Sequence, residues 1–373
     1  MATPSLKAEY WKYLIPVYKQ VLTETFGTEF ETSQYERQKH RFMQQMSYIG
    51  TKNLKSLIYP LVLLRGVTVR EITSQQITVY VLSYAYELTR AFHIAFGGRQ
   101  KMMKPVCETG TVFNTGITLF DRALDSPENT ETLKSIISYD YLLELISRKH
   151  QRKKDYSHFT EKPLVQVVIA LVNEYFIRCH EFFEISKRVD VWEEHTESLL
   201  TLFLAAVKGI EYSFKTHVPV QETCAHVLER ALAFSKILAL DSFLSPDSDS
   251  DLFRQDVLDP ILDLGKVFVI IDDIRDVPDD IQRGLWSYVI LKGALNFNVQ
   301  VLEDGKRRAE SEILEDMLST EAITQSLQDM FSFYTNSLET LEEFIPSRRV
   351  YPLRNLTEKI LTYSMDLREE DER

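Results

Sequence analysis

The chain has 373 residues, a formal net charge of −12, and only 12 glycines and 12 prolines. That length provides for a sizeable core, and so little Gly and Pro excludes a turn-rich all-β chain. The acidic balance excludes general nucleic-acid affinity, which needs a clustered basic surface.

From the N-terminus, residues 6–48 read as helix-rich and polar, with Tyr10, Trp11, Leu14, Val17 and Tyr18 spaced for one apolar face. Gly50-Thr-Lys52-Asn-Leu-Lys55-Ser56 is predicted to open an apolar helix over 57–64, and a second helix covers 72–96 until Gly97-Gly98 ends it. Residues 99–106 read as a basic connection. They lead into a helix-like stretch, Asn114-Thr-Gly-Ile-Thr-Leu-Phe-Asp121-Arg-Ala-Leu-Asp125, which ends in carboxylates at i and i+4. Ser126-Pro127-Glu128-Asn129 stops it. A helix over 132–149 runs into Arg148-Lys-His-Gln-Arg-Lys-Lys154, a run that the helix macrodipole favours at a C-terminus and that also suits an anionic substrate.

Long helices are predicted over 163–189, 192–216 and 220–240. The clearest loop is 241–251, rich in Ser, Asp and Pro, after which Asp259-Pro260 reads as an N-cap and N1 pair. Helices over 309–318 and 321–342, then one from about 353, complete the chain, with a frayed acidic tail at 366–373. No repeat or long biased linker divides it, so one domain over 1–373 is expected. Cys107, Cys179 and Cys224 lack metal-ligand spacing and an even disulfide count. They read as reduced, mostly buried thiols. Met1-Ala-Thr-Pro-Ser-Leu-Lys does not look like a secretory signal, and the longest apolar run, Val165–Val172, falls far short of the ~20 residues that span a bilayer. A cytoplasmic location without a transmembrane segment is the expectation.

The most informative segment is Leu264-Gly-Lys-Val-Phe-Val-Ile-Ile-Asp-Asp-Ile-Arg-Asp-Val-Pro-Asp-Asp280, an apolar stretch that ends in clustered carboxylates. On a helix Asp272, Asp276 and Asp280 share a face, with Asp273 beside them. Ionised carboxylates this close to a core repel one another and lose hydration, which a hard divalent cation offsets well. The alternative reading is a solvated acidic helix end that continues into a loop.

The two aspartate-bearing helix ends, in this order and this far apart, resemble the two metal-binding motifs of the class I isoprenoid synthases, over roughly residues 45 to 300. That superfamily includes the trans-prenyl diphosphate synthases and class I terpene synthases. The first motif, Asp-Asp-x-x-Asp, survives as Asp121-Arg122-Ala-Leu-Asp125, with Arg122 in place of the second Asp and Asn114-Thr115 upstream. The second survives as Asp272-Asp273-Ile-Arg-Asp276, preceded by Gly265 and Phe268. The resemblance implies an all-α bundle around an apolar cavity, with Mg2+ held by Asp121, Asp125, Asp272, Asp273 and Asp276, which are also its catalytic residues. A prenyl diphosphate would be gripped by Arg122, Lys52, Lys55, Arg230 and Lys236. Phe113, Gly116, Ile117, Phe120 and Phe268 would line the cavity, and a homodimer is an open expectation.

The chain departs from the elongating synthases at their second substrate site. Gly50-Thr-Lys52-Asn-Leu-Lys55-Ser replaces Gly-Gly-Lys-x-x-Arg-Pro, nothing matches Arg-Arg-Gly after Asp125, Val269 stands where Gln follows Phe, and Arg230-Ala231 stands near the place of Lys-Thr. These departures put first a terpene synthase that ionises one prenyl diphosphate and cyclises or quenches the cation. Chain elongation, transfer to another acceptor, and a catalytically weak regulatory subunit are the alternatives.

Overall fold

The computed structural model describes residues 6–30, 32–63, 77–124, 127–147, 160–213, 217–283, 285–297, 301–303, 310–363 and 365. The N-terminal region divides into α1 (Leu6–Phe26) and α2 (Ser33–Asn53). Gly27, at φ +64°, ends the first, and the Thr32 side chain accepts the Tyr35 N–H at the start of the second. Gly50 does not begin a new helix. The Leu54 N–H still bonds back to the Gly50 carbonyl, and the chain continues through a π-turn, Leu54–Ile58, into α3 (Tyr59–Leu63). A second π segment, Ile77–Ser83, leads into α4 (Tyr84–Ala95).

The basic stretch read as a connection is helical: α5 spans Gln100–Leu124 with Pro105 inside it. The helix predicted over 132–149 is two, α6 (Pro127–Ile136) and α7 (Tyr139–Ser147), because the Ser138 hydroxyl accepts the Tyr141 N–H and caps a new start. Then come α8 (Pro163–Ser186), α9 (Val189–Ser213) and α10 (Val220–Leu244). The predicted loop therefore begins four residues late, at Ser245. Asp241 and Ser242 belong to α10 and are fully buried. α11 (Gln255–Arg283) starts before Asp259, since the Arg254 carbonyl already accepts from Val257 and Leu258, and it contains Pro260 and Pro278. The remainder is α12 (Tyr288–Asn296), α13 (Glu310–Ser319), α14 (Ala322–Phe344) and α15 (Ser347–Tyr363), the last also starting earlier than predicted.

Among the described residues the one departure from an all-α chain is a short antiparallel pair, β1 (His217–Pro219) with β2 (Val301–Glu303). The buried apolar side chains join into one cluster to which all the long helices contribute. α10 packs between α9 and α11 and also touches α4, α5, α8 and α12, so its two faces meet both halves of the bundle. All three cysteines are buried, as expected. Among the described residues no helix is long and apolar enough to cross a membrane.

Candidate functional site

The second aspartate motif sits in the C-terminal half of α11, and a proline shapes its surroundings. Pro278 has no N–H, so the carbonyl of Ile274, four residues earlier, loses its helical donor. Tyr10 supplies one: its buried hydroxyl donates to the Ile274 oxygen and ties α1 to the middle of the motif. Burial first, then the charges of Asp280, Asp276 and Asp273, hold that phenol neutral, so it stays a donor.

The carboxylates divide by environment. Asp273 is buried, and its Oδ2 accepts the Tyr288 N–H at 2.6 Å, which caps the first turn of α12. Asp272 and Asp276 are open, their side chains 60% and 43% exposed. Arg275 lies between them, donating from Nη2 to Asp272 and from Nε to Asp276 at 3.1 Å. Its guanidinium also stands 5.4 Å from the ring centre of Tyr80, in the second π segment. Ion pairs this exposed contribute about 0–1 kcal/mol each, and a cation–π contact at such a site adds about 0.5–1. A divalent cation at Asp272 and Asp276 would compete with Arg275 for the same oxygens.

Asp280, one turn further on, has its pKa pushed up to about 8, by burial first and then by Asp273 and Asp276. Burial and the neighbouring carboxylates thus both oppose ionisation of Asp280. Because the folded pKa lies above the ordinary 3.8, the folded chain keeps a proton that the unfolded chain releases between about pH 4 and 8. Stability should fall as pH rises through that window and level off above it. Asp280→Asn should flatten this part of the profile, read by urea unfolding at pH 5 and pH 9 without divalent cations. An unchanged slope would show that Asp280 does not cause it.

The first motif ends α5. Asp121 and Arg122 are both half-buried on its last turn, and Asp125 lies outside the described residues, as does the basic run 148–154. An ion-pair chain orients α5: Arg178 of α8 pairs with Glu108 at 3.6 Å and with the fully buried Glu174 at 3.0 Å. Asn114 donates from Nδ2 to the Val81 carbonyl at 2.9 Å. The π segment thus touches α5 through Val81, two turns before the first motif, and the second motif through Tyr80.

The remaining candidates take varied places. Phe113 is buried between Tyr175 and Phe234, with ring centres 5.0 and 6.0 Å away. Phe120 meets Phe203 edge-on at 5.2 Å. Gly116 faces α8, where an added Cβ would sit 3.4 Å from Leu171 Cβ. Ile117 and Phe268 are half-buried against the core. Lys52 and Lys55 are exposed. Lys236 is engaged with Glu194 of α9. Arg230 is in α10, its side chain outside the described residues. Sequence reasoning assigned no role to Arg275, although acid–base pairs at i, i+3 are a recognisable helical pattern, and none to Tyr10 or Tyr80, whose contacts join distant elements.

No protein-family model matches the sequence, and no curated protein matches it. Solved structures do. A geranylgeranyl pyrophosphate synthase aligns at TM-score 0.54 and 12% identity over 88% of this chain and 98% of that one. A polyprenyl synthase from Caulobacter crescentus CB15, complexed with calcium and isoprenyl diphosphate, aligns at 0.53 and 13% over 88% and 96%. A geranylgeranyl pyrophosphate synthetase from Pyrococcus horikoshii Ot3 aligns at 0.51 and 13% over 90% and 100%. The likeness establishes the fold, the all-α class I isoprenoid synthase fold.

Proposed function

We propose that this chain is a prenyltransferase-type enzyme that ionises a prenyl diphosphate and joins the resulting allylic cation to a second prenyl unit. The observation that carries this reading is the open pair Asp272 and Asp276, one turn apart and held by a displaceable Arg275, on the isoprenoid synthase fold. The donor set fits a hard cation: exposed carboxylate oxygens on one helix face, in a neighbourhood with excess negative charge. Asp272 and Asp276, with Asp121 of α5 proposed as a further ligand, would hold Mg2+, and Asp273 would contribute by fixing α12. Such a cation would stabilise negative charge on the departing diphosphate.

The chain's own residues would do the rest. Arg275, released from the two carboxylates, would turn its fork toward the diphosphate oxygens, as Arg122 of α5 would. Tyr80 is placed to keep Arg275 near its working position, and Tyr10 keeps the motif helix from shifting. The aromatic packing around Phe113 and Phe120 would keep water from the cation.

The sequence departures favour a cyclising synthase, and the solved structures that match favour chain elongation; elongation is the first reading here. Val269, Ala231 and the missing Arg-Arg-Gly keep cyclisation as the second. Incubation with Mg2+ and prenyl diphosphates of each length, with and without isopentenyl diphosphate, separates them. A longer diphosphate formed only with isopentenyl diphosphate is expected, whereas a hydrocarbon or alcohol formed without it would replace elongation by cyclisation. Thermal stability should also rise when Mg2+ and inorganic diphosphate are added together, by about 2.7 kcal/mol at a hundredfold excess over Kd. No shift would favour a non-catalytic subunit. We propose one domain for the whole chain.

A further inference from the structure

Well inside the bundle, away from the aspartate motifs, three helices bring together side chains of a different character. Cys179 of α8, His195 of α9 and Asp241 of α10 are all fully buried. Cys179 Sγ stands 3.9 Å from His195 Nε2 and 3.8 Å from Asp241 Oδ1, and these two are 3.1 Å apart. Around a tetrahedral Zn2+ with ordinary Zn–S, Zn–N and Zn–O bonds, such atoms stand about 3.3–3.6 Å from one another. Movements of a few tenths of an ångström would bring all three onto one ion. The hydroxyl of Tyr175 is 2.8 Å from both His195 Nε2 and Asp241 Oδ1, within reach of a fourth position.

A purely hydrogen-bonded network explains this grouping poorly. Tyr175, His195 and Cys179 all converge on one oxygen of Asp241, while the other oxygen is buried without a partner. Unpaired buried polar atoms cost about 1–3 kcal/mol each, and a network that served only the core would spread its donors over both oxygens. One S, one N and one O atom within 3.9 Å of one another are also spaced as ligands around an ion, and this donor set suits zinc better than magnesium or calcium.

We propose that Cys179, His195 and Asp241 form a structural Zn2+ site that clamps α8, α9 and α10 together. On binding, the Cys179 thiol gives up its proton to solvent, His195 binds as the neutral imidazole with its proton on Nδ1, and the dication offsets the thiolate and carboxylate in the dry interior. With every protein ligand buried, the ion is closed off from substrate. It holds the helices rather than reacting, and Tyr175 relays its position to Phe113 of α5 through ring contact.

The site is independent of the prenyl diphosphate reading and is tested without activity. Full-length protein, grown with zinc and dialysed extensively, should carry one zinc per chain by plasma mass spectrometry. Protein grown in cobalt medium should show a thiolate-to-cobalt charge-transfer band together with strong tetrahedral d–d bands. Cys179→Ser should abolish the charge-transfer band, His195→Gln and Asp241→Asn should lose most of the metal, and Asp272→Ala should keep it. Metal-free wild-type protein would overturn the site, and so would cobalt bound without a thiolate band or zinc lost with Asp272→Ala. If the core variants do not fold, the wild-type metal content and the cobalt spectrum still decide.

Discussion

Asp272→Ala is expected to lower prenyl diphosphate turnover by at least about 10²–10³-fold, the scale of removing one preorganised electrostatic contact from a charge-developing transition state. The fold should survive it. The Asp272 side chain is mostly exposed, so its pair with Arg275 contributes little to stability. Its removal also eases the repulsion that Asp280 feels, to which Asp272 contributes after burial, Asp273 and Asp276. The unfolding midpoint in the absence of metal should therefore stay level or rise slightly. Steady-state turnover and circular dichroism on the same preparation check both halves. Near wild-type turnover would remove Asp272 from the metal site, and a large fall in midpoint would make its role structural.

Gly116→Phe is expected to cost stability by about 1–3 kcal/mol through overpacking, without shifting preference toward shorter substrates. From sequence, Gly116 reads equally well as an open cavity floor or as a point of close helix contact. In the structure it is a contact: a Cβ there would meet Leu171 Cβ at 3.4 Å and the Val172 nitrogen at 3.8 Å, so α8 backbone stands where a ring would go. One methyl fits at ordinary van der Waals distance. Gly116→Ala should then be neutral or stabilising, by up to about 1 kcal/mol from helix propensity. The opposite signs of the two variants, measured by denaturant unfolding, mark a packing glycine. A stable Gly116→Phe protein that prefers short prenyl diphosphates would restore the cavity floor.

Periodicity and patterning reached the main features of this protein without coordinates. The long helices and the burial of all three cysteines follow from local properties, apolar residues at helical spacing and too few glycines for a β fold; Asp121 does end α5, but Asp272 to Asp276 lie inside α11, which continues to Arg283. A helix-rich chain follows from the same signals, whereas the isoprenoid synthase bundle is implied by the resemblance of the two aspartate motifs. The errors lie where local composition misled. Asp241-Ser242 reads as a loop but is helix, and Asp241 Oδ1 is bonded there by His195 and Tyr175 of other helices. Pro260 reads as a helix start and the last helix is expected only from about 353, but Pro260 and Pro352 both sit inside helices, since a single proline removes one donor and a well-packed helix continues past it.

What only the tertiary structure decided is which side chains share a space. Arg275 between Asp272 and Asp276 lies within one helical turn and was in principle legible. Tyr10 on the carbonyl that Pro278 frees, Tyr80 under Arg275, and the meeting of Cys179, His195 and Asp241 involve residues far apart in sequence. Spacing along a chain encodes neighbours on one helix. Neighbours on different helices are set by how the helices pack, and no local pattern at any of these positions records that.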